Sequence, residues 1–127
     1  MTSDDEKRLK SDPDGLLTYE YLANNIETCG AADLDAVVEN LKRVDLNGQF
    51  TASAARYLNA IDPEAYAPAI NALTAATIDK DREHRYLGNL ISSLYGEDYK
   101  EHAAELSARD DNFRRIYKRL YPNPESL

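Results

Sequence analysis

Tryptophan is absent, phenylalanine occurs twice, and glycine and proline occur five times each in 127 residues. That scarcity of glycine and proline excludes collagen-like and low-complexity chains. A single cysteine, Cys29, excludes an intrachain disulfide framework and a cysteine-rich zinc site. No window approaches the ~20 consecutive apolar residues needed to span a bilayer, so no membrane contact is expected. The opening Met1-Thr2-Ser3-Asp4-Asp5-Glu6-Lys7-Arg8 is acidic and has no apolar stretch of the secretory kind. The expected compartment is therefore the cytoplasm. Strict period-two alternation is also missing, so no strands are expected. The G-x-S-x-G elbow, the Walker A loop and G-x-G-x-x-G are all lacking.

What remains is a chain of ordinary single-domain length with 43% hydrophobic residues. A chain of this size buries about two-thirds of its unfolded surface and needs no covalent or metal staple. Its net charge is −8 and its pI about 4.7. Such a balance repels nucleic-acid phosphates and favours encounters with basic partners. The charge is uneven. Between residues 109 and 121, Arg109, Arg114, Arg115, Lys118 and Arg119 face only Asp110 and Asp111, a local +3 that leaves −11 for the rest.

Apolar spacing is helical almost throughout. The pattern predicts helices over about 4–11 with Ser3 as N-cap, 16–28 stopped by Gly30, and 33–44. Further ones follow around Phe50–Ile61, after Asp62-Pro63, over 81–95 with His84 on the core stripe, over 97–108, and over 110–121. Pro68 implies either a helix that starts there or a kink. The expected fold is all-α: six to eight short helices in antiparallel hairpins, as a short α-solenoid-like repeat or a compact bundle. Residues 1–15 read as a short helix and linker, 16–121 as one domain, and 122–127 as a frayed tail.

A faint repeat supports the solenoid form. Tyr-Leu pairs fall at Tyr21-Leu22, Tyr57-Leu58 and Tyr86-Leu87, each within a similar local pattern, and Arg115-Ile116-Tyr117 reads as a truncated fourth. Spacings of this size suit a two-helix unit that buries its apolar face only by stacking on a neighbour.

Few residues suggest chemistry. Asp45-Leu46-Asn47-Gly48-Gln49-Phe50 resembles the middle of an EF-hand loop. However, Arg43 and Ala54 fall where its first ligand and its bidentate carboxylate belong, so the stretch reads instead as a turn with Gly48 at positive φ. His84 and His102 each follow a glutamate, Glu83 and Glu101. Asp81 and Glu105 stand three residues from them, a set too small for catalytic zinc or a di-iron centre. Cys29 lacks a basic neighbour and reads as a buried structural thiol. No catalytic residue, cofactor or metal ligand is assigned.

The nine tyrosines are the unusual feature. Most suit the rims of small helical cores. Tyr19, Tyr95 and Tyr121 look least committed to apolar stripes, which makes them interface candidates beside Arg114, Arg115, Lys118 and Arg119. The expected role is non-catalytic: a protein-binding module (adaptor, inhibitor or immunity-type protein) whose acidic helical surface takes a basic protein. Nucleic-acid contact through the basic last helix is the alternative, and a small hydrolase ranks third.

Overall fold

The computed structural model describes residues 1–122. The expected tail lies outside the described residues except for Pro122. Among the described residues there are eight α-helices, one 3-10 turn and no strand. The helices are α1 (Ser3–Lys10), α2 (Leu16–Asn25), α3 (Ala31–Val44), α4 (Gln49–Ile61), α5 (Ala67–Lys80), α6 (Leu87–Tyr95), α7 (Ala103–Arg109) and α8 (Asp111–Leu120), with the 3-10 turn at Tyr99–His102.

Two rows of helices build the molecule. α1, α3 and α5 touch in succession, as do α2, α4 and α6, and α8 closes against both α5 and α6. The core lies between the rows. Leu41, Leu58, Leu73, Ile78, Leu87, Leu90, Ile91, Phe113 and Ile116 are fully buried there. Each such side chain contributes about 2 kcal/mol through burial. Leu9 of α1 joins the same core.

Several boundaries differ from the periodicity, each for a local reason. Thr2 rather than Ser3 caps α1, because Thr2 and Asp5 form a reciprocal capping box. Gly30 does not stop α2; it is the extended N-cap of α3. α5 starts beside Pro68 instead of kinking there, because Asp62 accepts bonds from the Glu64 and Ala65 amides and holds a turn first. Ile61 is exposed at the end of α4 rather than inside the core. The predicted 81–95 helix begins only at Leu87, and His84 sits exposed in the preceding loop, not on a core stripe.

The Tyr-Leu repeat is not what recurs. Tyr21-Leu22 lies within α2, Tyr57-Leu58 towards the end of α4, and Tyr86-Leu87 at the very start of α6. The loops that lead into α2, α4 and α6 are instead built alike. Asp12, Asp45 and Asp81 are each at most 5% exposed. The Asp12 carboxylate accepts from the amides of Asp14, Gly15 and Thr18 and from the Thr18 hydroxyl. Asp45 accepts from Asn47, Gly48 and Thr51, and Asp81 from Arg85, Tyr86 and Leu87. Each carboxylate thus takes up the amides at the start of the next helix, which would otherwise be unpaired.

Three residues after each aspartate the backbone turns left-handed: Gly15 (φ 107°), Gly48 (φ 92°) and His84 (φ 57°). The loops also lie against one another. A Cβ on Gly15 would stand 3.0 Å from Phe50 Cδ2 and 3.4 Å from Asp45 Cα, and one on Gly48 would stand 3.1 Å from Asp81 Cβ. His84 has no such cover and can carry a side chain, at a conformational cost of about 1 kcal/mol.

A second series binds the first row. Arg43 donates to the Lys10 carbonyl, Lys80 to the Asp45 carbonyl, and Arg119 to the Ile78 carbonyl. Each cation reaches back to the C-terminal end of the preceding helix in the row, where carbonyls lack intrahelical partners.

Candidate protein-binding surface

The longest acidic interval without a cation lies in the N-terminal third. From residue 11 to residue 41 there is no Lys, Arg or His, while Asp12, Asp14, Glu20, Glu27, Asp33, Asp35 and Glu39 all fall there. Asp12 is spent on its loop, but Glu20, Glu27, Asp35 and Glu39 are exposed on α2, the turn after it and α3. Only Glu39 among these four has a cation close by, Lys42 at 3.0 Å.

The same region exposes its largest apolar side chains. Leu16 and Leu17 at the head of α2 are uncovered, and Leu46 in the α3–α4 loop is 73% exposed. Gly15 lies against Asp45, which brings together the loop that Leu16 follows and the loop that contains Leu46. Leu16 and Leu17 share α2 with the exposed Glu20 one turn on, a combination that suits contact with an amphipathic, positively charged surface. The signal for this patch was present in the sequence as a long cation-free interval, which summing charge over the basic segment alone passes over.

The sequence-proposed residues fall into two places. Tyr19 is half-buried on α2, its ring 6.2 Å from that of Phe50. The other six gather at the opposite end. Tyr95 is not uncommitted: it meets Phe113 edge-on at 5.0 Å and donates its hydroxyl to Asp110 at 2.9 Å. Burial, and then the Asp110 charge, push its phenol well above the ordinary range. Tyr121 packs on Tyr117 at 4.9 Å, and its hydroxyl lies 2.9 Å from that of Tyr99. Burial and the Tyr121 hydroxyl push Tyr99 up to about 12. The Lys100 ammonium, 4.4 Å from the centre of the Tyr121 ring, and the Tyr99 bond draw Tyr121 below its usual value. Both hydroxyls thus find partners inside the fold.

The cations of α8 are largely engaged. Arg114 pairs with Asp111 one turn back, and Arg115 reaches Asp79 of α5 at 2.8 Å. Arg119 caps α5. Lys118 is exposed.

For metals, Asp98, Glu101 and His102 place one ligand atom each within 4.8 Å of one another, all exposed. His102 pairs with Asp98 at 3.2 Å rather than with Glu105. The Asp45 loop is the turn its spacing suggested, with Gly48 left-handed and the carboxylate occupied by amides. Cys29 is only partly buried, contrary to expectation, since it follows the last turn of α2 rather than sitting within it. Its burial and the nearby Asp33 raise the thiol pKa, which keeps it a weak nucleophile at neutral pH.

The fold and surface define an all-α protein with an anionic N-terminal third and a cation-bearing last helix. Among the described residues, no helix is long and apolar enough to cross a membrane. No protein-family model, curated protein or solved structure matches the chain.

Proposed function

We propose that the protein is a non-catalytic binding module that engages a basic protein through α2, α3 and the loop edge beside them. It acts in the cytoplasm as an adaptor, inhibitor or immunity-type protein. The observation that carries this reading is the contrast in charge pairing. Glu20, Glu27 and Asp35 are exposed in an interval without cations, whereas Arg114 and Arg115 of α8 are already paired with Asp111 and Asp79. Uncompensated surface charge steers association and sets specificity, while paired charge adds little. Leu16, Leu17 and Leu46 supply apolar area for the contact. The recurring aspartate loops support reading α1–α6 as a short repeat array that holds this edge rigid.

The test compares three tagged baits in native extract: wild type, E20Q/E27Q/D35N/E39Q, and R114Q/K118Q. The expected result is a basic protein retained by the first and third, lost from the second, and released by salt. A nucleic acid, or a species lost only from the third bait, would establish the alternative use of α8.

A further inference from the structure

We propose that the open groove between the α5–α6 loop and α8, lined by Asp79, Arg82, His84 and Arg119, binds the phosphoryl group of a phosphate monoester. Two cations and an imidazole converge there with a single carboxylate. That carboxylate is already matched, because Arg115 reaches Asp79 from α8. Glu83, the other acid of the loop, pairs with Arg85. Among the described residues, Arg82 and Arg119 have no ion pair. The groove therefore carries an uncompensated positive charge within a protein of net charge −8.

His84 is the second, independent observation. The first two loops place glycine at the left-handed position, and the third places a histidine there, the only non-glycine residue at positive φ among those described. Backbone strain of this kind persists where the side chain has a use. Here the imidazole lines the groove and offers a ring N–H to an anion. Arg119 is preorganised: one nitrogen is anchored on the Ile78 carbonyl, and its remaining N–H groups are left for a ligand. One phosphoryl group fits this arrangement better than a polynucleotide, since Arg114 further along α8 is tied to its own Asp111.

The experiment is an NMR titration of the full chain with inorganic phosphate and then O-phosphoserine, at constant ionic strength against chloride. Saturable shifts confined to Arg82, His84 and Arg119, with both probes, are expected. R82Q and H84G should each weaken binding by about fivefold, as expected for losing one charge-assisted contact in an open site. Folding of the variants is checked by the same spectra, and H84G should unfold at higher urea than wild type. Unchanged binding in both variants overturns the proposal. So do shifts spread over Lys7, Lys10, Lys42 and Arg56, or a single-stranded oligonucleotide that binds more tightly than phosphate and moves Arg114 and Lys118.

Discussion

At the scale of single residues, the aspartates in the loops before α2, α4 and α6 decide most. Asp45 is 2% exposed and serves the amides of Asn47, Gly48 and Thr51. Asp45→Ala leaves those buried donors unmatched and should cost about 2–3 kcal/mol, read as a fall in urea midpoint. Gly48→Ala meets both a left-handed backbone and Asp81 Cβ at 3.1 Å, so it should destabilise by about 2 kcal/mol or more. His84→Gly at the equivalent position of the third loop should do the reverse and stabilise by about 0.5–1 kcal/mol. Asp12 gives a pH signature. Burial raises its pKa, but bonds from Thr18, Gly15 and Asp14 outweigh that and leave it below 3.8. A carboxyl lowered on folding stabilises fully above its unfolded value, and that contribution is lost as pH falls through the lower folded one. Wild-type stability should thus decline from about pH 5 downwards, and Asp12→Asn should start lower and decline less steeply.

At the scale of elements, helix faces were legible and loops were not. The α3 face of Val37, Val38 and Leu41 is buried as its spacing predicts, because apolar periodicity reports which side meets the core. α6 starts later than its periodicity predicts, because Leu87, Ile91 and Leu94 carry a helical period that extends backwards through His84. Nothing in that period records that Asp81 has captured the amides of Arg85, Tyr86 and Leu87. The relation of Asp12, Asp45 and Asp81 was likewise hidden, since the third loop replaces the glycine with histidine and the threonine with leucine. For the proposed binding surface, the acidity was legible, but its location was not, because pairing across helices cannot be read from composition. α8 offers a test at this scale. Asp110 caps it through the Phe113 amide and also receives the Tyr95 hydroxyl. Asp110→Ala should therefore cost more than the ~1 kcal/mol of a simple cap, and Tyr95→Phe about 1 kcal/mol. A double-mutant cycle should show that the two losses overlap rather than add.

At the scale of the whole molecule, protection should follow position. α4 touches α2, α3, α5 and α6, and α5 touches α3, α4, α6 and α8, whereas α1 contacts chiefly α3. Native-state hydrogen exchange should find the slowest amides in α4 and α5 and the fastest among the helices in α1, because local opening tracks the contacts that must break.

The close approach of Gly48 to Asp81 also bears on how such a chain could lengthen. A duplicate of residues 45–80 inserted ahead of Asp81 would meet matching surfaces on both sides, its own aspartate under the resident glycine and its own glycine over Asp81. An extra unit placed beyond the third loop would instead meet α8, which already closes against α5 and α6. Lengthening from within would leave α8 in place as the closing layer.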